Sequence, residues 1–134
     1  MPLTTLDPKS ALVVIDLQKG LLATPTLLPE LGEHGADLRL TKHAPGAFGD
    51  SALATELRAR GVTQVVVVGV STSNGVEATA RQAFDLGFNV TLPVDAITDV
   101  DAASHDHAVT RIYPRIAETG STADVLALLS TRGS

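Results

Sequence analysis

Two short stretches of this 134-residue chain hold residue types that can move protons or hold charge. Asp16 closes the apolar run Ala11–Asp16 (ALVVID), which puts a carboxyl group where a buried strand would reach the surface. A carboxyl so placed can act as a general acid or base, a role worth roughly 10²–10⁴ in rate. The plainer alternative is a solvated acid at a strand end. The second stretch, Ser71–Gly75 (STSNG), lies between the apolar run Val65–Val70 and a helical pattern. Amide groups at the start of a helix point outward and favour anions or developing negative charge. A serine nucleophile is disfavoured: GVSTS ends on Ser73 where G-x-S-x-G needs glycine, and no triad partners accompany it. His105 and His107 are two apart and would face different ways on a helix. With Asp99, Asp101 and Asp106 they read as an acidic loop and helix start, not a metal site. His34 and His43 are isolated, and with no cysteine there is no thiol nucleophile, disulfide or thiolate ligand.

These groups need elements to position them. Ala11–Asp16, Val65–Val70 (VVVVGV) and Asn89–Val94 (NVTLPV) read as strands covered on both faces, as in a parallel sheet. Val76–Leu86 carries apolar residues at helical spacing and is stopped by Gly87, completing a βαβ unit with a right-handed crossover. Asp50–Arg60 reads as a helix capped by Asp50 or Ser51 and stopped by Gly61. His105–Tyr113 reads as a helix halted by Pro114, Ile116–Glu118 as a short strand, and Thr122–Leu129 as a helix capped by Ser121 or Thr122. Phe48, Phe84 and Phe88 are expected in the core, although Phe48 could line a pocket. Lys19–Arg39 lacks a trustworthy helical period where a parallel connection needs a crossover. The alternation implies one α/β domain over residues 1–134, with helices on both faces of the sheet.

Three segments together resemble the isochorismatase-like hydrolases, a family that includes isochorismatases, nicotinamidases and related amidohydrolases. ALVVIDLQKG (Ala11–Gly20) is similar to the family's opening strand with its catalytic aspartate, here Asp16. LTKHAPGAF (Leu40–Phe48) is similar to its lysine segment, here Lys42, a residue that by itself reads as a surface lysine. Val65–Ala96 follows the family's longest signature almost throughout. The resemblance implies a three-layer α/β sandwich with a mainly parallel sheet. The chain departs from the family in two ways. Gly75 stands where members commonly carry the nucleophilic cysteine, and the stretch between Asp16 and Lys42 is shorter than usual, as if a helix–strand crossover were lost.

Gly75 closes the covalent cysteine route. The resemblance leaves a second route, in which Asp16 protonates a substrate vinyl ether and water then attacks, with Lys42 as electrostatic partner. Asp16 must then hold a proton; burial would raise its pKa and Lys42 would lower it. Gln18, Phe48, Val70, Ser71, Thr72, Ser73, Asn74 and Gly75 are the expected substrate-binding residues, and the family pattern puts a non-proline cis bond at Val70–Ser71. The expected substrate is a small carboxylated metabolite, with no cofactor and no metal. Formal charge is −5 and the ten Lys and Arg are scattered, which argues against nucleic acid. No apolar run reaches membrane-spanning length, so a cytoplasmic protein is expected. The shortened stretch should uncover apolar surface, so a homo-oligomer such as a dimer is expected, as is the alternative of a non-catalytic binding or assembly subunit. A receiver-like signalling module is a weaker alternative, since it expects an acidic pair and Ile15 precedes Asp16.

Overall fold

A computed structural model describes residues 1–15, 38, 40, 44–49 and 52–131. Asp16, Gln18, Lys42, His34, His43, Asp50 and Ser51 lie outside the described residues, as does Lys19–Arg39 apart from Leu38. Five strands form one sheet: β1 (Ser10–Ile15), β2 (Gln64–Val70), β3 (Asn89–Pro93), β4 (Ile97–Thr98) and β5 (Glu118–Gly120). All their pairings are parallel. The order is β1-β2-β3-β5; β4 sits beside the far end of β2, where Gly69 pairs with Ile97 and Val70 with Thr98. A single 3-10 turn (Val94–Ala96) separates β3 from β4, so the two flank β2 in succession. Val65 and Val67 of β2 are 0% exposed, as expected of a β-branched run in the middle of a covered sheet.

A strand order that never reverses, joined by right-handed crossovers, places the connecting helices on one face. These are α1 (Leu53–Ala59), α2 (Glu77–Asp85), α3 (Ala102–His107) and α4 (Tyr113–Ile116). The core follows: Val13, Ile15, Val65, Val67, Val90 and Leu92 pack with Leu53 and Leu57 of α1, Ala80 and Ala83 of α2, and Tyr113 and Ile116 of α4. Each buried Val or Leu adds roughly 1.5–3 kcal/mol. The other face is covered more thinly. There α5 (Thr122–Ser130) lies across Val66, Val68 and Pro93, leaving an apolar groove of about 390 Å³ with Leu12 66% and Leu126 58% exposed. No described helix is long and apolar enough to cross a membrane.

Several boundaries differ from the sequence expectation. Among the described residues, α1 begins at Leu53 after Ala52. The expected helix from His105 begins three residues earlier, at Ala102, where Asp101 accepts the Ser104 amide. It is not halted by Pro114: a π-helical turn (Ala108–Ile112) leads into α4, which holds Pro114 in its first turn. Proline lacks only its own N–H, and a widened turn spares it the clash with the preceding carbonyls. Ile116 consequently ends a helix, and the last strand is Glu118–Gly120. Phe84 is 51% exposed rather than core, while Phe48 and Phe88 are buried with ring centroids 5.8 Å apart. The cap of α5 is as expected, since Ser121 and Asp124 exchange hydrogen bonds in a capping box.

Candidate functional site

The site is built at the carboxyl end of β2. Gly69 has φ +120 and pairs with Ile15, and a Cβ at Gly69 would run into the Ile15 carbonyl. Only glycine allows that approach. It draws the end of β1, which Asp16 follows in the chain, tightly against β2. The Val70–Ser71 peptide is cis, as the family pattern led us to expect. Beyond it the chain enters a π-helical turn, Thr72–Val76, that runs into α2. The Asn74 and Val76 amides both donate to the Ser71 carbonyl, at 3.1 and 3.0 Å. Thr72 and Gly75 are buried, and Ser73 and Asn74 are exposed.

Three residues from Asp99–Tyr113 hold this turn. Asp99 Oδ2 accepts from the Ser73 amide at 2.9 Å and from its hydroxyl at 2.6 Å. The Ser73 hydroxyl first, then the Ser73 and Asp101 amides, lower the Asp99 pKa below the ordinary aspartate value. Tyr113 Oη donates to the Thr72 carbonyl at 2.7 Å. Burial, helped by the charges of Glu77 and Asp99, pushes the Tyr113 phenol up, so it remains a donor across the physiological range. Thr72 Oγ1 lies 2.6 Å from His105 Nδ1, a hydrogen bond whose donor follows the imidazole tautomer.

A second segment docks on α2. Ala47 N–H donates to Thr79 Oγ1 at 3.1 Å, and Thr79 in turn donates to the Gly75 carbonyl at 2.7 Å. Phe48 N–H donates to Gln82 Oε1 at 3.0 Å, and Gly46 sits so close to that amide that a Cβ would collide with it. The turn Ala44–Gly49, two residues beyond Lys42 in the chain, is therefore tied to the helix that Gly75 leads into.

Of the residues expected at the site, Val70, Ser71, Thr72, Ser73, Asn74 and Gly75 form one continuous rim, whereas Phe48 packs against Phe88, which precedes β3 at the amino end of the sheet, away from the rim. Asp16, Lys42 and Gln18 lie outside the described residues. The Ser73 amide, expected to face a ligand, is instead engaged by Asp99. The Asn74 and Val76 amides are engaged as well, by the Ser71 carbonyl. Asp99, His105, Tyr113 and Thr79 were not expected to touch the rim, nor Gln82 to bond Phe48. Their partners are 26 to 41 residues away in sequence, apart from Thr79 and Gly75, which are four apart. Only the last spacing, one helical turn, is a signal the sequence carries.

A parallel sheet whose central strand ends in such a turn defines an α/β scaffold with its polar rim at the strands' carboxyl ends. Residues 23–124 match the Isochorismatase domain family, and the chain belongs to that family. It is 40% identical over 99 residues to the uncharacterized isochorismatase family protein YecD of Escherichia coli O157:H7, covering 74% of this chain and 53% of that protein. The chain spans about half the length of the curated relatives it matches. An isochorismatase family protein of Burkholderia thailandensis superposes with TM-score 0.85 at 28% identity, over 94% of this chain and 98% of that one. The nicotinamidase of Staphylococcus aureus superposes with TM-score 0.59 at 28% identity, over 61% of this chain and 52% of that one.

Proposed function

We propose that the chain is a hydrolase of this family that acts on a small carboxylated metabolite by proton transfer from Asp16, with Lys42 as electrostatic partner. The convergence of three backbone segments carries the reading. Ile15, the residue before Asp16, pairs with Gly69; the turn after Lys42 is tied through Thr79 to the Gly75 carbonyl; and Ser71–Gly75 lies between them. The chemistry that suits these groups is hydrolysis of a vinyl ether such as isochorismate. Asp16 delivers its proton to the vinyl carbon, water adds to the cation so formed, and the carbon–oxygen bond then breaks. Lys42 and the remaining amides of the turn hold the substrate's carboxylate or carbonyl oxygen. The reaction consumes water alone, and a chain without cysteine has no thiolate to form a covalent intermediate.

Turnover of isochorismate by Asp16→Asn tests this. The expected result is a loss of about 10²–10⁴ in kcat with the fold unchanged. An Asp16→Asn variant as fast as the parent chain overturns the mechanism.

A second reading, a non-catalytic assembly subunit, is favoured by the exposed face bearing Leu12, Val14, Leu126 and Leu129. Its occupant would be a second copy of the chain. Light scattering on the purified chain decides, because a monomer at all concentrations removes this reading.

A further inference from the structure

The turn at the end of β2 is held by more hydrogen bonds than its backbone requires. The Thr72–Ser73 peptide plane is fixed at both ends, with its carbonyl accepting from Tyr113 and its amide donating to Asp99. Those two bonds satisfy main-chain groups and would serve any buried turn. The contact between Thr72 Oγ1 and His105 Nδ1, like the bond from the Ser73 hydroxyl to Asp99, satisfies no backbone group, and of the two it is the one made by a buried residue of the turn. A threonine on a helix can return its hydroxyl to a carbonyl of the preceding turn, as Thr79 does to Gly75. Thr72, 0% exposed, instead bonds a side chain 33 residues away.

The geometry points to His105 as a positioning residue for the rim. By bonding Oγ1 it fixes the rotamer of the buried Thr72 side chain, which neither Tyr113 nor Asp99 touches; the Ser71 carbonyl of the peptide before it is held by the Asn74 and Val76 amides. This inference rests on the reading of Ser71–Gly75 as the oxygen-holding turn of a hydrolase. The role is one of positioning, exerted through Thr72. Three residues of one segment thus divide the turn between them: Asp99 sets the Ser73 amide, Tyr113 the Thr72 carbonyl, and His105 the Thr72 side chain.

The test compares His105→Ala, His105→Asn and Thr72→Val in the full chain, with two readouts. Asparagine places a hydrogen-bonding group where Nδ1 stands, and valine keeps threonine's shape without its hydroxyl. The first readout is the amide nuclear magnetic resonance spectrum of Ser71–Val76. His105→Ala and Thr72→Val are expected to move the same turn resonances, the double variant to move them no further, and His105→Asn to restore most of the parent pattern. The second is isochorismate turnover, where kcat should fall about ten- to a hundredfold in the first two variants and recover in His105→Asn, with KM changing far less. Turn resonances that stay in place in Thr72→Val and His105→Ala overturn the proposal, whether or not the chain is active. Independent, additive effects of the two substitutions also overturn it. If the resonances move as expected but the parent chain leaves isochorismate intact, the positioning role stands and the vinyl-ether reading falls.

Discussion

The two ends of β2 carry polar networks of similar density and opposite design. At the amino end Gln64, 2% exposed, accepts the Asp7 amide at 2.6 Å and donates to the Thr5 carbonyl and to Thr91 Oγ1. Asp7 Oδ2 takes the Thr63 hydroxyl and the Asn89 amide. These groups close on one another and fasten the amino-terminal segment to the sheet. At the carboxyl end His105 and Tyr113 bond the buried Thr72, and Asp99 bonds the exposed Ser73, while Asn74 faces outward. A network that saturates itself supports stability, whereas one that braces an exposed turn from a neighbouring segment prepares a surface for something else.

The strongest way to break the comparison is at the residue that joins strand and rim. Gly69→Ala forces a Cβ against the Ile15 carbonyl at φ +120, so relief requires β1 and β2 to part. The expected cost is about 3 kcal/mol or more, read as a lower urea midpoint or a loss of folded protein. Next is Gln64→Leu, which preserves volume but removes the side-chain amide that bonds the Asp7 N–H and the Thr5 carbonyl. Stability should fall by about 1–3 kcal/mol, while kcat per folded molecule stays at the parent value. A drop in kcat there would mean that the two ends are coupled. Tyr113→Phe removes the donor to the Thr72 carbonyl and nothing else the structure records for that hydroxyl. About 1–2 kcal/mol should be lost, with kcat falling as well, which sets it apart from Gln64.

The sheet was legible because β-branched runs in a parallel sheet are apolar on both faces and need no alternation to be recognised. But β1, expected to be covered on both faces, is covered on one, with Leu12 and Val14 exposed on the other. The cap of α5 was legible because Ser121 and Asp124 are three residues apart. Pro114 misled because a proline ordinarily ends a helix, and the widened turn that lets the chain pass it depends on packing around Tyr113, 0% exposed. Phe84 falls at a helical repeat, but that position of α2 points past the edge of the core. β4, two residues long, carries no period. The rim itself was marked by its glycine-bearing signature. The residues that hold it were not, because Asp99, His105 and Tyr113 reach it only once β3, β4 and α3 have folded back beside β2.

The smallest expected effect concerns acid. Asp99, Asp95 and Asp101 all have pKa values lowered by hydrogen bonds: Asp99 chiefly by the Ser73 hydroxyl, Asp95 by the Thr122 amide, Asp101 by the Ser104 hydroxyl. A carboxylate whose folded pKa is lowered adds stability that is complete above its unfolded pKa and lost as pH falls through the folded one. All three therefore contribute near neutrality and stop contributing in the acid range. They differ in what they hold. Asp95 and Asp101 engage the first turns of α5 and α3, and Asp99 engages the rim. Asp99→Asn should flatten the acid limb of the stability profile, as Asp101→Asn should, yet only Asp99→Asn should also move the amide resonances of Ser71–Val76. Urea titrations across pH paired with those spectra test both halves, and equal spectral effects from the two variants would erase the distinction drawn between caps and rim.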